Sequence, residues 1–352
     1  MRLPILALIF FSLSFPSVLA QDETPPSAEA KKASKGWGSS KSIREWKAHQ
    51  TFSLSISPDG KHLVTGSEDK NAKVWNTESG KTLTDLTGHD DWVRSVRFSP
   101  DGKHIVTGGE DQKIMVFGLD GKQRSSASTE GGVLDIQFSN DGKSIAVATK
   151  DKLVQIFSFP ELKLVRDLRG HTDWIWSVAF NADGTWLATA SEDDSVRLWD
   201  VKTGKEIIEL RKSHDKNINA VYTVSFHPTL SKVLLSGNLD NTVDIWDLDK
   251  AGEKSKDEEG NEKPMWKETP VHTIDAFDDS VRSISFTDDG TYFATGSSDN
   301  RVRIWEWKGL TEVPSLLKTH DAGKGMLWSV EFASDGAYLA TGGEDKHIRL
   351  WK

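Results

Sequence analysis

Residues 170–200 read GHTDWIWSVAFNADGTWLATASEDDSVRLWD, and this stretch decides the fold. Apolar and polar residues alternate in three short runs, which is the period of a half-buried β-strand. Asp183-Gly184 separates the first run from the second, and Asp-Gly between two such runs is a strong signal of a tight hairpin turn. A second turn that contains Asp precedes the third run, which ends at Trp199. The stretch therefore predicts three consecutive antiparallel strands.

The same pattern recurs along the chain. Five further Asp-Gly turns follow alternating runs, at residues 59–60, 101–102, 141–142, 289–290 and 335–336. The third run of each unit ends in an aromatic residue, at Trp75, Phe117, Phe157, Trp199, Trp246, Trp305 and Trp351. Spacings of 40 to 59 residues between these aromatics leave room for a fourth strand in every unit. One four-stranded sheet cannot bury both of its faces, whereas seven sheets arranged radially can, so we expect a closed all-β ring.

The repeats resemble WD40 repeats over about residues 40–352. The fourth repeat carries the resemblance most fully, through Gly170-His171, Val178-Ala179-Phe180, Ser191-Glu192-Asp193 and Leu198-Trp199-Asp200. The resemblance implies a seven-bladed β-propeller of the WD40 type. The chain ends at residues 351–352, directly after the last third strand, so the last blade lacks an outer strand. We expect residues 40–47 (SKSIREWK) to supply that strand and to close the ring.

The resemblance also implies a hydrogen-bonded tetrad inside each blade, made by a loop His, a strand Ser or Thr, a turn Asp and the closing Trp. Four repeats carry the His, Asp and Trp of this tetrad: His49, Asp69, Trp75; His171, Asp193, Trp199; His214, Asp240, Trp246; and His320, Asp345, Trp351. The other repeats depart from the pattern, with Phe117 or Phe157 in place of Trp, or Phe277 in place of His. A phenyl ring has no N–H to donate, so these tetrads are expected to be incomplete.

The sequence contains few residues or motifs that are typical of a catalytic site. The histidines and turn aspartates recur at repeated positions, so we interpret them as structural. No G-x-S-x-G, H-E-x-x-H or phosphate-binding loop occurs, and the Ser-Pro-Asp-Gly turns lack the alternating oxygen ligands of a calcium site. We therefore predict a protein that is not an enzyme, with no catalytic residue, metal or cofactor. A propeller hydrolase or lyase, with a metal held by glutamates at the channel mouth, stays as a weaker alternative.

Function is predicted at positions that vary between the repeats. In the WD40 resemblance these positions lie on the top face, around the central channel. The residues predicted to bind a partner there are Phe52, Trp92, Arg94, Trp174, Trp176, Tyr222, Arg282, Met326, Trp328, Glu68, Glu110, Glu192 and Glu344. Trp, Tyr and Arg dominate the hot spots of protein interfaces. We predict a scaffold that binds a protein or peptide segment on this rim; the alternatives are aromatics that only seal the gaps between blades, and a structural subunit of a cell-envelope assembly.

The net charge and the absence of cysteine limit the classes of partner and of site that this protein can have. The 352 residues include 44 Lys and Arg against 53 Asp and Glu, which gives a formal net charge of -9. A generic nucleic-acid binder needs a basic surface, so a nucleic-acid partner is disfavoured. The chain contains no Cys, which excludes disulfides, thiolate metal sites and cysteine nucleophiles. We expect a monomer when no partner is bound.

The first residues resemble a targeting signal. Met1-Arg2, an apolar run at 3–15 and the small residues around Ala20 predict a secretory signal over 1–20 that is cleaved, with no membrane span afterwards. A retained N-terminal anchor is the alternative. From this signal we predict an exported protein, periplasmic or extracellular. None of the ten Asn lies in a glycosylation sequon, which favours a bacterial protein.

Two polar segments flank or interrupt the repeats. Residues 21–39 are polar and small, and are predicted to be a disordered linker before the propeller domain of 40–352. Residues 249–270 are charged and are predicted to be a loop insertion on the bottom face of the propeller. A partner tether through Met265-Trp266 is the alternative interpretation of this insertion.

Overall fold

The computed structural model describes residues 41–211, 220–249, 254–256, 262–264 and 269–352. This part of the chain contains thirty β-strands and no helix, and hence no helix that could cross a membrane. The predictions made for residues 1–39, for His214 and for Met265-Trp266 lie outside the described residues.

Seven four-stranded antiparallel sheets form the blades of a ring, one from each repeat. Blade 1 consists of β2 (Thr51–Ile56), β3 (His62–Ser67), β4 (Ala72–Asn76) and β5 (Thr82–Leu86). Blade 2 consists of β6 (Val93–Phe98), β7 (His104–Gly109), β8 (Lys113–Gly118) and β9 (Gln123–Ser128). Blade 3 consists of β10 (Val133–Phe138), β11 (Ser144–Thr149), β12 (Leu153–Ser158) and β13 (Leu164–Arg169). Blade 4 consists of β14 (Ile175–Phe180), β15 (Trp186–Ser191), β16 (Ser195–Asp200) and β17 (Glu206–Arg211).

The second half of the ring repeats the arrangement, with one insertion. Blade 5 consists of β18 (Val221–Phe226), β19 (Val233–Asn238), β20 (Val243–Asp247) and β23 (His272–Ile274). Between its last two strands, β21 (Lys254–Lys256) and β22 (Glu262–Pro264) pair as a hairpin within the predicted loop of 249–270. Blade 6 consists of β24 (Val281–Phe286), β25 (Tyr292–Ser297), β26 (Arg301–Glu306) and β27 (Ser315–Asp321). Blade 7 consists of β28 (Leu327–Phe332), β29 (Leu339–Gly343), β30 (His347–Trp351) and β1 (Arg44–Lys47).

The hydrophobic core lies between neighbouring blades. Val64 and Val74 of blade 1, for example, share one buried cluster with Val96 and Ile105 of blade 2. Fully burying such a side chain stabilises the fold by about 1.5–3 kcal/mol. Because each sheet packs against a sheet on either side, no blade has to bury its faces alone.

The first strand closes the ring. In the pairing of β1 with β30, Arg44 lies opposite Leu350 and Lys47 lies opposite His347. The ring of Trp46 packs 6.4 Å from that of Trp75 in blade 1. The expected closure by an N-terminal strand is therefore confirmed, and it ties both ends of the described chain into one sheet.

The innermost strand of every blade contains a β-bulge at the same place. In blade 1, Thr51 pairs with Ser67 and Ser53 pairs with Gly66, so Phe52 is the extra residue. The extra residues of the seven bulges are Phe52, Arg94, Leu134, Trp176, Tyr222, Arg282 and Trp328. A bulge re-aims the side chain of its extra residue. We call these seven residues the channel ring, because they line the top of the central channel.

Side chains that follow the bulges join neighbouring blades. Ser53 Oγ of blade 1 accepts the N–H of Val96 in blade 2 at 3.3 Å, and Ser329 Oγ of blade 7 accepts the N–H of Leu54 at 3.2 Å. In blade 3 the carboxylate of Asp135 takes the same role. These bonds satisfy backbone donors on the wall of the channel, which would otherwise be costly to bury.

Candidate functional site

The tetrads of blades 1 and 4 are complete, and that of blade 4 is buried while Asp69 of blade 1 is 38% exposed. In blade 4, His171 Nδ1 lies 2.9 Å from Asp193 Oδ2, His171 Nε2 lies 2.6 Å from Thr189 Oγ1, and Trp199 Nε1 donates to the same hydroxyl at 3.0 Å. Burial raises the pKa of Asp193, but hydrogen bonds from His171 and Ser195 outweigh it and hold that pKa well below its usual range. The side chains of His171 and Asp193 are 0% and 3% exposed. A substrate therefore cannot reach this His–Asp pair.

Blade 1 has the same contacts, and other blades have part of them. His49 lies 3.1 Å from Asp69, and Trp75 donates to Thr65 at 2.9 Å. In blade 2, His89 is hydrogen-bonded to Asp111 and Thr107, but Phe117 has no N–H to donate to the threonine. In blade 5, Trp246 Nε1 donates to Ser236 at 3.0 Å. The histidine expected there, His214, lies outside the described residues, and Asp240 accepts from Thr242 at 2.5 Å.

The seventh repeat does not form the expected tetrad. Both ring nitrogens of His320 lack a hydrogen-bond partner in the described part of the chain, and the ring stacks on Trp351 at 4.7 Å. Asp345 pairs instead with Arg349 at 2.7 Å. Arg349 lies on the last strand, two residues before Trp351. It replaces the histidine as the partner of the turn Asp345.

Blade 6 shows the same replacement. Arg303 pairs with Asp299 at 2.7 Å, and its guanidinium lies 4.7 Å from the ring centroid of Phe277. Arg303 and Arg349 occupy one repeat position, but Arg197 occupies it in blade 4 and pairs with Glu206 and Glu209 instead. Arginine at this position therefore does not by itself predict the exchange.

The seven residues of the channel ring surround one cavity. It has a volume of about 90 Å³ and opens above the central channel, whose cavity is about 480 Å³. Aromatic contacts run around the mouth: Trp176 meets Tyr222 at 5.6 Å and Trp328 meets Phe52 at 5.9 Å between ring centroids. The structure thus brings together side chains that lie far apart in the sequence.

Two arginines fill the gaps between the aromatics of the channel ring. The guanidinium carbon of Arg94 lies 4.2 Å from the ring centroid of Phe52. That of Arg282 lies 3.8 Å from the centroid of Tyr222 and 5.2 Å from that of Trp328. Cation–π contacts of this kind stabilise each partner by about 0.5–2 kcal/mol. The mouth of the channel is therefore a preformed, largely aromatic surface.

Outside the channel ring lie the most exposed tryptophans of the top face. Trp92 is 40% and Trp174 39% exposed. Trp92 packs against Phe52 at 5.5 Å, and Trp174 packs against Trp176 at 5.7 Å. Met326 lies at the corresponding position before blade 7. These side chains extend the aromatic surface outward, where a partner can reach them without a conformational change.

The four rim glutamates are engaged within the protein. Glu110 holds Arg94 at 2.9 Å and Lys150 at 2.5 Å, while Glu192 accepts from Trp176 Nε1 at 2.5 Å. Glu344 accepts the backbone N–H of Met326 at 3.0 Å, and Glu68 lies 3.5 Å from Lys346 Nζ. Glu110 and Glu192 therefore position an arginine and a tryptophan of the channel ring, whereas Glu344 and Glu68 contact a backbone N–H and a lysine.

Below the channel ring the wall carries charges that the comparison of repeats did not single out. Arg97 lies 3.2 Å from Asp135. Glu331 accepts the backbone N–H of Ile56 at 2.9 Å, and burial raises its pKa to about 6. The described residues hold no group of three or more His, Asp or Glu placed to bind a metal ion. The metal-dependent alternative finds no support in this geometry.

Comparison with known proteins gives seven matches along the chain to one family model, described as the WD domain, G-beta repeat. The matched segments are residues 40–76, 80–117, 121–158, 162–200, 204–247, 268–306 and 312–352. A probable cytosolic Fe-S cluster assembly factor of Schizosaccharomyces japonicus is 33% identical over 43% of this chain and 22% of its own length. A guanine nucleotide-binding protein subunit beta of Zea mays is 24% identical over 74% of this chain and 56% of its own length.

A third relative is, like the first, named as an iron-sulfur assembly protein. A probable cytosolic iron-sulfur protein assembly protein 1 of Candida glabrata is 33% identical over 41% of both chains. This chain spans less than two thirds of the length of each of these relatives. The similarity therefore concerns the repeats, and not the whole of any relative.

The relatives correct the predicted location. The leader-like residues 1–20 predicted a bacterial protein exported to the periplasm or the exterior. Several matched relatives are cytosolic iron-sulfur assembly proteins of eukaryotes, which points to the cytosol and contradicts export. The prediction depended on one short apolar run, and a run of this kind carries no information about the repeats that follow it.

Three observations indicate the same family. They are the ring of seven sheets closed by β1, the tetrads of blades 1 and 4, and the seven matched repeats. The chain belongs to the WD40 family.

Proposed function

We propose that this propeller is a non-enzymatic scaffold that binds a segment of another protein on its top face. The channel ring and the outer residues Trp92, Trp174 and Met326 form the binding surface. The observation that carries the proposal is the exposure of Trp92 and Trp174, about 40% each, at the edge of a continuous aromatic mouth. Large exposed aromatics beside a preformed cavity are typical of interface hot spots.

The relatives support this role. WD40 repeats are shared with a guanine nucleotide-binding protein subunit beta and with iron-sulfur assembly proteins, which are named as a subunit and as assembly proteins. The alternative that these aromatics only seal the gaps between blades explains Phe52 and Trp176, which are packed on both sides. It does not explain why Trp92 and Trp174 leave so much surface in water.

A capture experiment with matched variants tests the proposal. The full chain and a Trp92→Ala, Trp174→Ala variant are used to capture proteins from a lysate of the native cell, with quantitative mass spectrometry. The control is Leu164→Ala, Val165→Ala, because these residues of β13 are 52% and 59% exposed on the outer edge of blade 3. We expect a protein captured by the full chain and by the control, and at least about tenfold less by the top-face variant, since a hot-spot residue is worth about 2 kcal/mol.

Equal capture by the two variants would contradict a top-face site. Loss of capture only in the control would move the interface to the blade edge. Melting curves of all three proteins establish that each remains folded.

A further inference from the structure

Arg94 and Arg282 occupy the same position in their repeats, but only one of them has a counter-charge. Arg94 Nε donates to Glu110 Oε1 at 2.9 Å and forms an ion pair. Arg282 Nε donates in the same geometry, at 3.0 Å, to the hydroxyl of Ser298. Ser298 stands where the second repeat has Glu110. Among the described residues Arg282 forms no salt bridge with a carboxylate, and its side chain contacts Tyr222, on which Glu192 and Asp279 also act electrostatically. Its guanidinium therefore has no directly paired counter-charge.

A second donor beside Arg282 is also unsatisfied. Trp328 Nε1 is buried and has no acceptor among the residues that the structure describes. Its counterpart in blade 4, Trp176 Nε1, donates to Glu192 at 2.5 Å. In blade 7 the corresponding Glu344 accepts a backbone N–H instead. A buried N–H without an acceptor is costly, about 1–3 kcal/mol, so an acceptor oxygen that reached Trp328 Nε1 after a small shift of the indole would be favourable.

Arg282 and Trp328 line the same small cavity, with Tyr222 on the other side of Arg282. We propose that this sector binds the carboxylate of an Asp or Glu side chain in the partner segment. A carboxylate offers two acceptor oxygens in one plane, which matches a guanidinium group. The aromatic faces of Tyr222 and Trp328 would pack against the methylene groups of the same side chain. This inference rests on the proposed function, since it defines the chemistry of the segment bound there.

The molecule offers a variant that tests this directly. Ser298→Glu copies the arrangement of Glu110 in blade 2, and gives Arg282 an internal counter-charge without removing any residue of the channel ring. Ser298→Ala is the matched control, because it changes the same side chain without adding charge. Both variants are compared with the full unmodified chain, after melting curves have shown that all are folded.

The probe is an array of nine-residue peptides with randomised flanks and a fixed central residue: Asp, Glu, Asn, Gln, Lys or phosphoserine. For the unmodified chain and for Ser298→Ala, we expect Asp or Glu centres to bind about tenfold more strongly than Asn or Gln centres, the effect of one charge-assisted hydrogen bond. For Ser298→Glu we expect this preference to disappear.

The outcomes separate the carboxylate from the binding surface itself. Selective peptide binding without an acidic preference, or a preference that Ser298→Glu leaves unchanged, overturns the carboxylate while the top-face site stands. A preference for phosphoserine over Asp and Glu overturns the carboxylate as the source of the acceptor oxygens. No selective binding by the unmodified chain counts against the carboxylate, and together with unchanged capture by Trp92→Ala, Trp174→Ala it also overturns the proposed function.

Discussion

At the residue scale, the tetrad of blade 4 is a directed chain of hydrogen bonds. The pKa of Asp193 is held low, so its carboxylate accepts from His171 Nδ1, while His171 Nε2 lies 2.6 Å from the hydroxyl of Thr189. The hydroxyl oxygen of Thr189 in turn accepts from Trp199 Nε1. Each side chain is therefore held in one orientation by its hydrogen-bonded neighbours, which suits a structural element.

Removing the first donor of this chain tests its contribution to stability. Trp199→Phe leaves the hydroxyl of Thr189 with one donor fewer and a small gap beside it. We expect a loss of about 1–3 kcal/mol in the free energy of unfolding, measured by urea denaturation. The control is Trp92→Phe on the exposed rim, where a change below about 0.5 kcal/mol is expected. An equal loss in the two variants would show that the chain of bonds contributes nothing specific.

His227 gives a prediction for acid stability. It is 3% exposed and packs between Phe286 and Trp307, each at 5.2 Å. Burial lowers its pKa to about 4. In the unfolded chain the pKa of this histidine is near 6.5, so between pH 6.5 and pH 4 the unfolded chain binds more protons than the folded protein. The contribution of His227 to the free energy of unfolding is therefore fully present above pH 6.5. It is lost as the pH falls toward 4. The expected loss from this residue approaches about 3 kcal/mol.

The measurement is urea denaturation from pH 7.5 to pH 4 for the unmodified chain and for His227→Phe, which retains a ring between the two aromatics. We expect the variant to lose less stability over this range, whatever its stability at pH 7.5. Parallel curves for the two proteins would mean that His227 does not titrate as a buried neutral group.

At the scale of the elements, the sequence predicted the strands well and the bulges not at all. Alternating runs and Asp-Gly turns located the first three strands of the blades, because period and turn chemistry are local properties. The extra residue in each innermost strand is a property of the pairing between two strands, and the alternation of Ile175, Ser177 and Ala179 does not display it. The bulge aims Trp176 at the channel, and this direction could not be predicted from the sequence, while the binding role of the position stays a prediction.

Side-chain contacts within the blades were equally hard to predict from the sequence. Ser298 and Glu110 occupy the same repeat position, but the sequence does not show that each faces an arginine of the channel ring in its own blade. The comparison of repeats also treated the rim glutamates as free to meet a partner, whereas Glu110 and Glu192 hold Arg94 and Trp176. Each of these pairs joins the extra residue of a bulge to the residue that follows the second strand of the same blade, so it depends on the bulge that aims the side chain.

The closing strand can be tested as an element. Deleting residues 41–47 removes the ladder between β1 and β30, the ion pair of Glu45 with Arg349 at 3.0 Å, and the packing of Trp46 on Trp75. At about 1 kcal/mol for each lost backbone hydrogen bond, the loss is several kcal/mol. We expect the melting temperature to fall clearly. The control is deletion of residues 24–30, a segment of equal length that precedes the first strand. An unchanged melting temperature in the 41–47 deletion would contradict a stabilising role for the closing strand.

At the scale of the whole molecule, the propeller differs from an open array of repeats. In an open array each unit meets its neighbours on two sides except at the ends, where stability is lowest. Here blade 7 contacts blade 1 through the bond from Leu54 to Ser329 and through Ile56 to Glu331. Blade 7 itself is built from both ends of the described chain, so neither end of the ring is an open terminal unit.

This geometry predicts cooperative unfolding that depends on closure. For the unmodified chain we expect one urea transition, coincident by tryptophan fluorescence and by far-UV circular dichroism, because no terminal blade can open without breaking a sheet. In the 41–47 deletion, blades 7 and 1 become terminal units, and we expect the transition to broaden and the two probes to separate as these blades open first. The same deletion leaves the channel ring intact in blades 2 to 6. A single coincident transition in both proteins would show that packing between blades, without the closing strand, is sufficient to make the ring one folding unit.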